Sequence, residues 1–156
     1  MPGYQAHMAA GGAVGLVIGA TVSPTAAAVC ATVGGIYGLL PDLDQPRKVR
    51  IGNRVVPGSK ATQYFVALVV GFSIVGVVAW YLGAPPEAAV AAASTPLILR
   101  VAGWATGHRQ ATHTVLAGLL IPLATTWWLY YVSKQAFVLL FAAAAGGYLS
   151  HLVLDH

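Results

Sequence analysis

The first 41 residues contain no Lys, Arg, Asp or Glu, and the run ATQYFVALVVGFSIVGVVAWYLGAPP at 61–86 has none either. Charges this sparse decide the solvent before they decide the fold. A soluble domain has a large surface to cover with polar groups, and 8% charged residues is too little for it. Long apolar runs with few charges point to an integral membrane protein. In a bilayer every backbone N–H and C=O needs an internal partner, which a helix supplies. The expected fold class is therefore all-α, an integral membrane helical bundle. The single Cys30 lies in an apolar run and cannot form an internal disulfide, so it reads as packing.

Turn residues divide the chain into about six helices, near 6–22, 24–40, 61–83, 86–104, 112–132 and 135–155, within one domain over 1–156. Ser23 and Pro24 make an N-cap and first-turn pair. Gly83, Ala84, Pro85 and Pro86 separate the third helix from the fourth, and Pro96 is expected to kink the fourth. The first two segments are short for a full span, for which about 17 residues is the lower limit.

QPRKVRIGNRVVPGSK, at 45–60, is the only long polar stretch and carries Arg47, Lys48, Arg50, Arg54 and Lys60. By the positive-inside rule it is a cytoplasmic loop. The net charge of +4 then needs no nucleic acid as partner; membrane lipids are the expected one. MPGYQAHMAAGG lacks the basic start of a secretory signal, so the first apolar segment is expected to be kept. Counting crossings puts both termini, the 41–60 loop and the 105–111 loop on the cytoplasmic side. The same face collects all five histidines (His7, His108, His113, His151, His156) and three of the four acids (Asp42, Asp44, Asp155). Glu87 is the exception, and in the first turn of a helix it complements the helix dipole. Helix ends are where polar residues are tolerated, which explains one His or Asp. It does not explain why the opposite face has none of the histidines. Ionisable groups at a membrane edge are costly and mark a functional site by default.

Each motif has its own chemistry. In HLVLD the i, i+4 spacing projects His151 and Asp155 from one helical face, to share one metal or to set Asp155 between two. In LLPDLD Pro41 ends a helix, and an extended Asp-Leu-Asp points Asp42 and Asp44 the same way. Two carboxylates in one place repel unless a cation or proton lies between them; solvated acids at a helix exit are the plainer reading. In GHRQATHT, His108 and His113 suit zinc and similar ions, and the fork of Arg109 suits phosphate. A basic loop before a Thr-capped helix is the alternative there. His7 alone would be an interfacial histidine; the shared face makes it a ligand candidate. His and Asp residues from separate helices are how bundles build metal sites. No Gly-rich phosphate loop, GxSxG elbow or CxxC pair is present, so a serine or cysteine hydrolase is unsupported.

His7, GLLPDLD, GHRQATHT and GYLSHLVLDH, taken in order, resemble the YdjM-like family of inner-membrane-associated metal-dependent hydrolases, whose strings are close to PDxD, HRxxTHS and HxxLD. The resemblance runs along nearly the whole chain. Thr114 stands where the family often has Ser, and the family pattern continues past HxxLD whereas this sequence ends at His156. A short protein and a fragment of a longer one both stay open. The ligand pattern is similar to that of the all-helical zinc-dependent phospholipase C and nuclease group. The resemblance implies a divalent metal, zinc or else manganese or another ion, held by His7, Asp42, His108, His113, His151 and Asp155. It also implies Asp44 as ligand or base and Arg109 as a phosphate contact.

The leading expectation is a membrane-bound metal-dependent hydrolase of a phosphoester such as a phospholipid. Metal-activated water would attack phosphorus, and Asp44 or Asp155 would orient the water. Its rival is a non-catalytic membrane protein with a structural or regulatory metal. A transporter needs polar groups at mid-membrane, and here they gather at one edge.

Overall fold

The computed structural model describes residues 4–41, 48–51, 54–57, 59–106 and 112–155. Seven helices are present among them. Helix α1 spans Tyr4–Ala20 and α2 spans Pro24–Tyr37. Helix α3 spans Ser59–Tyr81 and α4 spans Pro86–Thr106. Helices α5, α6 and α7 span Val115–Thr126, Leu129–Val132 and Lys134–Asp155. The α1–α2 junction forms as the sequence implies. The Ser23 hydroxyl accepts from the Ala26 N–H at 3.0 Å, and Pro24 takes the first helical position, where a missing N–H costs nothing. At the α3–α4 turn Gly83 has φ 88°, a conformation open to it because it lacks a Cβ.

One expectation needs correction. The fifth helix, expected over 112–132, is broken into α5 and α6. Pro122 lies inside α5 and has no N–H to give the ladder. The Thr125 and Thr126 hydroxyls bond back to the Pro122 carbonyl at 3.0 and 2.7 Å, and α5 ends there, at the Trp127–Trp128 turn. The all-α class stands, with one addition in the stretch expected as a polar loop. Within the expected polar loop, β1 (Lys48–Ile51) and β2 (Arg54–Pro57) pair antiparallel. Helix α4 continues through Pro96.

Small residues set the packing. Helix α1 lies on α2 and α7, α2 lies on α7, and α5 also packs on α7; α3 pairs with α4, which reaches α5. Cβ atoms built on Gly15 and Gly34 would overlap the carbonyl oxygens of Cys30 and Gly11, so α1 and α2 meet backbone to backbone. Such contact suits helices in lipid, where dispersion and close approach, not water exclusion, hold them together. Tyr37, Leu40, Phe72, Leu99, Ala144, Tyr148 and Leu152 form the main core. Large apolar side chains point outward instead: Leu16, Val17, Val77, Ile98, Leu116 and Val153 are all exposed by half or more. An apolar exterior over a small-residue interior is unlike a soluble monomer, which rarely shows large contiguous apolar patches.

One described helix, Lys134–Asp155, is long and apolar enough to cross a membrane, with mean hydropathy 1.9. With 17 and 14 residues, α1 and α2 extend about 25 and 21 Å at about 1.5 Å per residue, short of a hydrocarbon core of about 30 Å. The two ends of the molecule differ. At one end Trp128 packs against Ala79, Ala84 and Ala89, which joins the α3–α4 turn to the turn after α5. Trp80, Tyr81, Trp127, Tyr130 and Tyr131 are exposed around it, and Lys134 lies 5.3 Å from the Tyr130 ring centre. Amphipathic rings of this kind collect at membrane–water boundaries. His7, His113 and His151 lie at the other end.

Candidate functional site

Four helix ends build the site. His7 comes from the start of α1, His113 from the turn into α5, and His151 and Asp155 from the last turns of α7; the end of α2 supplies the Gly38 carbonyl. Thr114 caps α5 by accepting from the Ala117 N–H at 3.1 Å, which fixes the turn holding His113. The Tyr148 hydroxyl donates to the Thr112 carbonyl at 2.6 Å and ties that turn to α7. Thr112 Oγ1 and His113 Nδ1 are 3.2 Å apart.

Asp155 is the hub. Its Oδ1 is 3.4 Å from His7 Nε2, and its Oδ2 is 3.6 Å from both His113 Nε2 and His151 Nε2. The ring centres of His7 and His151 stack 4.0 Å apart, and His113 stands edge-on to His151 at 5.3 Å. His7 is 2% exposed, His151 not at all, and the Asp155 side chain 10%.

His151 shows which atoms face inward. Its Nδ1 lies 2.8 Å from the Gly38 carbonyl, which can only accept, so Nδ1 carries the hydrogen. In the neutral ring Nε2 then presents a lone pair toward Asp155. This is the arrangement metal-ligating histidines adopt, the outer nitrogen donating to a carbonyl and the inner one left to coordinate. His7 Nδ1 is buried without a hydrogen-bond partner among the described residues.

The separations suit a shared ion. Hydrogen bonds between nitrogen and oxygen run about 2.7–3.2 Å, and all three contacts to Asp155 are longer. Two ligands about 2.0–2.1 Å from one zinc at a tetrahedral angle lie about 3.3–3.4 Å apart. One ligand atom each from His7, His151 and Asp155 falls within 4.8 Å of the others. The residues present therefore fit a divalent ion. The two carboxylate oxygens face different histidines, so Asp155 with His7, His113 and His151 would hold the ion and supply its one charged ligand.

The structure thus brings together His7, His113, His151 and Asp155 from three separated stretches of sequence. The match to the model described as YdjM inner membrane protein covers residues 1–156. The chain belongs to this family. No curated protein and no solved structure matches the chain significantly. For the YdjM-family chain, the expected residues Asp42, Asp44, His108, Arg109 and His156 lie outside the described residues. Asp42 directly follows Pro41, which is buried and described.

Three supporting groups escaped the sequence reading: the Gly38 carbonyl, Tyr148 and the glycines that let α1, α2 and α7 converge. A backbone carbonyl leaves no mark in a sequence. The glycines do, since Gly11, Gly15 and Gly19 repeat at every fourth position, the small-residue spacing of close helix pairs.

Proposed function

We propose that this YdjM-family protein is a multi-pass inner-membrane hydrolase that uses a divalent metal, zinc foremost, to cleave a phosphoester such as a phospholipid at the cytoplasmic face. The observation that carries the reading is the convergence of His7, His113 and His151 on Asp155 at 3.4–3.6 Å. A divalent ion held there would supply Lewis-acid charge and lower the pKa of a nearby water. The protein's own part is positional. Asp155 would fix the ligand cage and orient water, and Asp44 is the second acid for that role. Arg109 would grip phosphoryl oxygens with its planar fork.

Support for the orientation comes from the two unlike ends. The aromatic end matches a membrane boundary; at the opposite end lie His7, His113, His151 and the exit of α2, after which the sequence runs on into the stretch with Arg47, Lys48, Arg50, Arg54 and Lys60. A single cysteine placed at Ser59 should resist a membrane-impermeant thiol reagent in intact cells and react after lysis; labelling from outside would reverse the orientation.

The catalytic test is phosphate-ester turnover by purified protein supplied with zinc or manganese, paired with Arg109→Lys. Lysine keeps the charge and loses the fork, so insertion and metal content should stay as they are. Turnover should fall by a factor equivalent to roughly 2–4 kcal/mol of transition-state stabilisation, as for loss of one preorganised donor. Parent-like rates in the variant would leave Arg109 a topological charge only.

A structural or regulatory metal is the second reading, favoured by the near-complete burial of His7 and His151. It keeps the metal and shows no turnover.

A further inference from the structure

His113 and His151 stand alike before Asp155, yet their outer nitrogens rest on different groups. Each Nε2 is 3.6 Å from Asp155 Oδ2. The Nδ1 of His151 meets the Gly38 carbonyl, which can only accept and so settles the hydrogen by itself. The Nδ1 of His113 lies 3.2 Å from the Thr112 hydroxyl, which can donate or accept. That contact alone allows both neutral forms of His113, and the surroundings must choose. With its hydrogen on Nε2, the ring would aim it at Asp155 Oδ2 across 3.6 Å, beyond the N–H···O range of about 2.7–3.2 Å. With its hydrogen on Nδ1, the ring donates to Thr112 and turns the Nε2 lone pair inward, as His151 does.

We propose that Thr112 is the positioning residue that keeps the hydrogen of His113 on Nδ1 and so presents Nε2 to a divalent ion. The ion itself rests on the metal reading above. Metal-ligating histidines depend on an outer acceptor of this kind to fix the ring and its tautomer. Thr112 is held for the task. It is 2% exposed, and its carbonyl accepts from the Tyr148 hydroxyl at 2.6 Å. Tyr148 is fully buried and lies three residues before His151 on α7, on the same side of that helix. Helix α7 therefore holds His151 directly and reaches His113 through Tyr148 and Thr112. Capping of α5 belongs to Thr114, so the Thr112 hydroxyl is not needed to start that helix.

The test uses the full chain in detergent, stripped of metal and carrying isotopically labelled histidine, at a pH that keeps the imidazoles neutral. Nitrogen resonances tell a protonated ring nitrogen from a bare one, and those of His113 are assigned by their loss in His113→Gln. The parent should carry the hydrogen on Nδ1. Thr112→Val keeps the branched shape and removes the hydroxyl. It should move His113 toward the Nε2–H form and leave the His151 signals where they are, which would also show that the site is still folded. Zinc affinity of this variant, by titration calorimetry, should fall about 10–100-fold, the usual loss for an outer partner. Thr112→Ser should restore both tautomer and affinity. Tyr148→Phe, which removes only the hydroxyl that holds Thr112, should move both readouts the same way by less. A purely structural Thr112 would lower the thermal midpoint in Thr112→Val without touching the tautomer, and that result would overturn the proposal. So would a parent with its hydrogen on Nε2. The two readings fail apart, because the tautomer is read without metal: a parent protein that takes up no zinc sinks the metal site, whereas an unmoved tautomer sinks the role of Thr112.

Discussion

Asp155→Asn is expected to empty the candidate site of its ion, with metal affinity falling by more than about 100-fold. Loss of an outer partner of a metal ligand already costs about 10–100-fold, and Asp155 stands one layer further in. Its two oxygens face three imidazoles, and it is the one acid among the described residues there. Asparagine keeps the volume and removes the charge. It also replaces one acceptor oxygen with an amide that must point its hydrogens at the Nε2 atoms of His113 and His151, or turn them toward His7. Either way the three Nε2 atoms that face Asp155 lose the carboxylate that completes the cage. The measurement is metal content of the detergent-purified protein, backed by titration calorimetry with zinc. Asp155→Glu is the companion, since a carboxylate displaced by one methylene should recover part of the affinity. Parent-like stoichiometry in Asp155→Asn would take this residue out of any metal site. The cluster would then be a buried His–Asp network.

The histidine end was legible in the sequence because the chemistry there is rare in such a chain. With so few ionisable residues, counting crossings was enough to send His7, His113, His151 and Asp155 to one end, and the i, i+4 rule paired the last two. Which imidazole nitrogen faces inward was not legible. It is decided by the Gly38 carbonyl, a group every residue possesses. The break between α5 and α6 had a signal in Pro122 followed by Thr125 and Thr126, but the apolar period runs through it and masks the stop. The hairpin had one too: Gly-Asn between KVRI and RVVP is a two-residue turn signal flanked by β-branched residues. The strong basic charge of that stretch made a topological loop the more obvious reading. Both misses arise where a local signal competes with a louder global one.

The same competition favours packing over propensity at Gly34, whose replacement by alanine gives the second large effect expected here. On helix propensity alone the change should stabilise by up to about 1 kcal/mol. Gly34 is buried where three helices meet. A Cβ there would overlap the Gly11 carbonyl oxygen of α1 and lie 3.2 Å from the Gly15 nitrogen, and Gly147 of α7 presses on Gly34 from the other side. The obstacles are backbone atoms, which no rotamer change can move. The net result should be destabilisation at or above the upper end of the usual overpacking cost of about 1–3 kcal/mol. The damage should reach the site. One helical turn beyond the Gly34–Gly147 contact, Gly38 receives the His151 hydrogen bond, so spreading α2 from α7 lengthens that bond. Zinc affinity should fall together with the thermal midpoint in detergent. Gly71→Ala is the control, because a Cβ there meets nothing within 4 Å. It should be neutral or slightly stabilising and leave metal binding alone. If Gly34→Ala matched Gly71→Ala in both measurements, the helices would have room to spare, and the backbone contact of α1, α2 and α7 could not be what holds the histidines in register.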